Sequence, residues 1–148
     1  MNTADFSDAL VSSIAKARQT AKKLNNSELQ PEHVFFHLLD HMVVESIIQT
    51  LTKMGIDSPL SIQAEISRSF TWKEPTSEKE PVATPRLEKI IRLARDFAKT
   101  DETSRKGGRV YCHHFLIGCV LEGNNIPFKI LQGRGLTLEN WILKHVPR

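Results

Sequence analysis

One helical pattern occurs twice in this chain, and that repetition limits its fold more than any other feature of its 148 residues. Leu10, Ile14, Ala17 and Ala21 follow the four-three-four spacing of an amphipathic helix. The same spacing returns 77 positions later as Leu87, Ile91, Ala94 and Ala98. The stretch PEHVFFHLL (31–39) returns 81 positions later as CHHFLIGCV (112–120), so the second connecting loop is four residues longer. IIQTLTKMGI is then echoed by IPFKILQGRGL, with Gly135 standing where Gly55 stands. The expected fold is all-α, with about eight helices arranged as two four-helix repeats around a pseudo-two-fold axis. Residues 1–69 form the first repeat, 70–83 a linker and 84–148 the second, within one domain.

Punctuation supports the helices. Pro31 and Pro85 suit first helical positions, the latter behind Thr84 as N-cap. Gly55 suits a left-handed C-cap. Asp57 or Ser58 with Pro59 restarts a fourth helix, and Thr137 opens a last one in TLENWILKHV. No segment reads as a strand. The run TWKEPTSEKEPVATP reads as an exposed linker. Its Trp72 is expected to fold back onto the domain or to meet a partner, and Trp141 lies in the last helix.

Composition excludes several classes. With 40% hydrophobic residues the chain can fill a core without disulfide or metal. No apolar run approaches the roughly 18–20 residues that span a bilayer. MNTADFSDAL lacks a basic, then apolar, leader, so a cytoplasmic protein is expected. Cys112 and Cys119 are seven apart on one helix, roughly 10 Å along its axis, too far for a mutual disulfide. They read as reduced, partly buried small hydrophobes. The net charge of +3 is uneven, −2 over residues 1–74 and +5 over 75–148. A basic half could serve a nucleic-acid-binding regulator, but its cations alternate with acids along helices, the pattern of a solvated face.

His33, His37 and His41 recur every fourth residue, which stacks them on nearly one helix face. Two such histidines can share zinc. However, HVFFH lacks the glutamate of H-E-x-x-H, and His33 has a counterpart in His114 whereas His37 matches Gly118. A ring required twice near equivalent helix starts is architectural, satisfying orphan backbone groups. No metal and no cofactor are expected.

Taken together, Phe6-Ser7, the alanine-rich first helix, Glu32-His33, Met54-Gly55-Ile56 and Thr84-Pro85-Arg86 resemble the Clp N-terminal domain of the Clp AAA+ chaperones, closest to the ClpC-like type. The resemblance covers essentially the whole chain. Departures are Asn25-Asn26 in place of a glycine-histidine pair, Cys112-His113-His114 in place of T-E-H, and a longer basic loop before it. The resemblance implies a non-enzymatic recognition module for adaptor proteins and for unfolded or tagged polypeptides. Its AAA+ ATPase would lie in the same chain or a separate one, because RKGGRV is no phosphate loop.

It also implies two surfaces. One is a phosphoarginine pocket with Glu32 gripping the guanidinium beside Ser7, and with His113 and Thr84 as the weaker or repurposed second-repeat equivalents. A carboxylate suits the planar fork of that group, although an acid at a helix start is also favoured by the macrodipole alone. The other is a hydrophobic groove lined by Leu93, Phe97 and Phe115, residues that equally suit the core of the second repeat.

Overall fold

A computed structural model describes residues 2–41, 47–56, 60–74, 80–101 and 109–138. Its order is α1 (Asp8–Lys23), β1 (Glu28–Leu29), α2 (Pro31–Leu38) running into a 3-10 turn (Leu39–His41), α3 (Ile47–Lys53) and α4 (Leu60–Ser67). After the linker come β2 (Val82–Ala83), α5 (Pro85–Thr100), α6 (Cys112–Glu122) and α7 (Ile126–Gly133). Among the described residues the regular structure is all-helical apart from the two short β segments. The expected caps at Asp57, Ser58 and Pro59, and the last helix with Trp141, lie outside the described residues.

The repeat reappears as duplicated hydrogen bonds. Ser7 Oγ accepts the Leu10 amide at 3.2 Å to start α1, and Thr84 Oγ1 accepts the Leu87 amide at 3.2 Å to start α5. His33 Nδ1 accepts the Gln30 amide at 3.0 Å, and His114 Nδ1 accepts the Tyr111 amide at 3.0 Å. Gly55 and Gly135 both turn left-handed, at φ +84° and +88°, so that Ile56 and Leu136 can each donate back to the carbonyl five residues earlier. Thr84→Ala should therefore lower the unfolding free energy by about 1 kcal/mol. Urea titration checks this, with Thr84→Ser staying close to wild type.

The short strands differ from the strandless expectation, and they show how the halves meet. Leu29, which precedes α2, pairs in parallel with Ala83, which precedes α5. Phe6, which precedes α1, bridges Val110, which precedes α6. Phe6 and Ala83 are 77 positions apart, and Leu29 and Val110 are 81 apart, the same offsets as the helices. Each repeat's first leader thus pairs with the other's second leader, the exchange that a two-fold relation requires. Segments of two residues carry no readable alternation.

Asn25 explains one departure from the pattern that the sequence resembles. It sits at φ +56°, the left-handed geometry that a helix-ending glycine supplies and that asparagine tolerates. Its side-chain amide donates to the Lys73 carbonyl at 2.9 Å and that of Asn26 donates to the Thr71 carbonyl at 2.8 Å, fastening the start of the linker.

The core is one continuous apolar cluster that includes Leu10, Leu29, Phe35, Ile90, Phe115 and Leu131. Helix α6 is buried along almost its whole length because α3, α5 and α7 all pack on it. Arg134, at the end of α7, ties this half to α4 through Glu65 at 2.6 Å and Ser61 Oγ at 2.6 Å.

Candidate functional site

Glu32 is the second residue of α2, whose start is fixed by Pro31 and by the His33 ring folding back onto the Gln30 amide. The carboxyl is half-buried and stands on a wall shared by two clefts. One cleft, of about 150 Å³, lies between Asn26–Glu28 and the Ser69–Lys73 stretch, with Phe70 in its lining. The other, of about 220 Å³, is closed by Gln30, Pro31, Arg86, Asn125 and Ile126. Burial raises the Glu32 pKa, opposed by its own backbone amide and by the Arg86 guanidinium. Arg86 is also 3.8 Å from Glu122 Oε1. A carboxylate and a guanidinium thus border a cleft sized for one side chain.

The other residues singled out from the sequence divide differently than expected. Ser7 and Thr84 are buried, and each hydroxyl is engaged as a helix cap. Ser7, expected beside Glu32, lines neither Glu32 cleft; its amide donates to the Val110 carbonyl at 2.9 Å. Thr84 instead reaches toward the Glu32 side, its amide donating to the Leu29 carbonyl at 3.2 Å. The leader exchange between repeats is the reason: residues near one another in sequence pattern are distributed across the junction.

Phe115, with 0% exposure, and Phe97, also buried, belong to the core and not to an open groove wall. Of that set only Leu93 is partly open, packed against the cluster. Trp72 is 60% exposed and has not folded back onto the domain.

Within the histidine row, the described side chains of His33 and His37 have different partners. His33 is buried with its ring tilted on Phe70, while His37 Nε2 lies 2.7 Å from Thr20 Oγ1 and its Nδ1 3.4 Å from Asp40. Both cysteines are buried and outside any disulfide, and burial pushes the Cys119 thiol pKa up.

A different cluster forms in the second repeat. His113 and His114 both turn Nε2 toward Asp101 Oδ2, at 3.6 Å and 2.6 Å. Asp101 is the residue that sequence reasoning missed. It caps the end of α5 at the place where Leu24 caps α1, 77 positions earlier, and that offset was the available signal. The second repeat thus has a carboxylate where the first has Leu24, and a histidine where the first has Glu32.

Comparison with known proteins agrees with the geometry. The Clp repeat (R) N-terminal domain family matches residues 5–134. Chaperone protein ClpB of Oceanobacillus iheyensis is 26% identical over 137 residues, which is 90% of this chain and 16% of that protein. The chain therefore spans about a sixth of that relative's length. Among solved structures, the N-domain of ClpV from Vibrio cholerae superimposes with a TM-score of 0.74 at 15% identity, covering 95% of this chain and 82% of that one. A chain studied as part of a malarial protein secretion system gives 0.63 at 15% identity, covering 96% and 92%.

Proposed function

The chain belongs to the Clp repeat (R) N-terminal domain family, and we propose that it is a non-catalytic recognition module which captures an adaptor protein or a substrate polypeptide for a Clp ATPase. The ATPase would be a further part of the same polypeptide or a separate subunit. The sequence contains no phosphate loop, and the ClpB relative extends far beyond the matched region.

The observation that supports a specific site is the position of Glu32 between two clefts with Arg86 at one of them. We infer, in line with the ClpC-like resemblance, that this pair takes a phosphorylated arginine side chain. The carboxylate would accept paired hydrogen bonds from the guanidinium, and Arg86 would face the phosphoryl oxygens. The neighbouring hydroxyl of Thr84 acts through the helix cap that places Arg86. His113 holds the Glu32 position in the second repeat, and Ala9 holds that of Arg86. Neither offers the required charge, so the second position is no duplicate of the first.

Titrating an arginine-phosphorylated peptide against wild type and Glu32→Ala tests the assignment. Loss of the carboxylate should weaken binding by about 30-fold or more, as when one partner of a desolvated charge pair is removed. Equal affinity in both proteins would remove this pocket while leaving the recognition module to be located elsewhere on the surface.

A further inference from the structure

We propose that Asp101, His113 and His114 form a binding site for a divalent transition-metal ion of the zinc and cobalt class, at the place where the first repeat carries Glu32. The two imidazole nitrogens and the carboxylate oxygen all lie within 4.8 Å of one another. Two imidazoles and one carboxylate are a donor set that zinc and its neighbours accept, usually with a fourth position left for water or a further ligand. Tetrahedral ligation at zinc distances separates donor atoms by about 3.3 Å. Asp101 Oδ2 stands 2.6 Å from His114 Nε2 and 3.6 Å from His113 Nε2, so both carboxylate–imidazole separations lie within an ångström of that value.

The surroundings pack against the donors and leave two of them slightly exposed. The His114 side chain is fully buried, its ring 6.0 Å from that of Phe97. The His113 ring is nearly parallel to the Tyr111 ring, at 9°, and 4.2 Å from the His114 ring, the three rings forming a triangle. The Asp101 and His113 side chains keep 15% and 14% of their surface exposed, which gives an ion a route in and its fourth position access to solvent. The first repeat lacks this chemistry. Its equivalents are Leu24, Glu32 and His33, so the donor set belongs to the second copy alone.

Ligation has a defined proton cost. His114 Nδ1 accepts the Tyr111 amide, so in the neutral ring Nε2 carries the hydrogen and gives it to Asp101. When Nε2 donates its lone pair to the ion, the ring hydrogen shifts from Nε2 to Nδ1 and the Tyr111 amide loses this acceptor. One backbone hydrogen bond at the start of α6 is exchanged for a metal bond, with no net proton released by that histidine. Metal loading therefore leaves a mark at Tyr111 that nonspecific surface binding does not.

Cobalt(II) titration of the 148-residue chain, followed by visible absorption, should show a saturable one-to-one complex that zinc displaces. In ¹⁵N-labelled protein the Tyr111 amide and the His113 and His114 ring nitrogens should shift, while the Gln30 amide on the His33 ring stays in place. Asp101→Asn and His113→Ala both keep the His114 cap, so both should fold by circular dichroism, and each should bind at least about tenfold more weakly. His37→Ala, at the separate His37–Asp40 contact, should bind as wild type does. Absence of one-to-one binding, or affinity unchanged in both Asp101→Asn and His113→Ala, overturns the site.

Discussion

Gly118→Ala is expected to lower the unfolding free energy by about 2 kcal/mol, with Gly118→Val costing more. Gly118 lies inside α6, where helix propensity alone would favour alanine by about 1 kcal/mol. Packing reverses that preference. A Cβ at this position would stand 2.6 Å from the Ile90 carbonyl oxygen and 3.3 Å from Ala94 Cβ. Both belong to α5, and a backbone carbonyl cannot rotate away as a flexible side chain would. The two helices would have to separate and uncover the apolar surface that Ile90, Ile91 and Leu116 now bury between them. Gly133→Ala is the control: its Cβ would meet nothing within 4 Å, so its urea midpoint should hold or rise. A Gly118→Ala midpoint equal to that of wild type would show that α5 and α6 slide apart cheaply, and the close-approach account would fail.

Acidification should produce the second large effect. The His33 ring is buried, and burial, then the neighbouring His37, hold its pKa down to about 4. The ordinary histidine value is near 6.5. Between these values the unfolded chain binds a proton that the folded chain refuses, so stability rises with pH there. The contribution is fully present above about pH 6.5 and is lost as the pH falls toward 4, about 3 kcal/mol in all. Geometry gives the same sign, because a proton on Nδ1 would face the Gln30 amide that this atom now accepts. His33→Gln can offer a carbonyl oxygen to the same amide but cannot titrate. Urea midpoints between pH 7 and 4 should therefore fall less steeply in that variant, even if it is weaker at pH 7. A slope identical to that of wild type would remove His33 as the source.

These two sites illustrate what could be read in the chain and what could not. The backbone role of His33 and His114 follows from their recurrence at equivalent helix starts, because a cap is a local contact. The Thr84 hydroxyl is legible for the same reason, as is the left-handed turn at Gly55, whereas the cap role of Ser7 emerged only in the structure. Gly118 is different: it is unremarkable in a one-dimensional pattern, and only the approach of α5 gives it a purpose. Phe97 and Phe115 fit a groove or a core equally well by spacing, and burial assigned them to the core. Ser7 and Glu32 looked like partners because they share a repeat, yet the leader exchange sends them to different neighbours.

The sequence alone determined the helical class, the duplicated pattern, the caps and the absence of a phosphate loop. Those depend on interactions spanning a few residues, which periodicity and residue type record directly. Only the tertiary structure decided that Phe6 pairs with Val110 and Leu29 with Ala83, that Arg86 borders the Glu32 cleft, and that Asp101 joins His113 and His114. Each of these joins residues distant in the chain, and their meeting is set by how two amphipathic halves bury one common core.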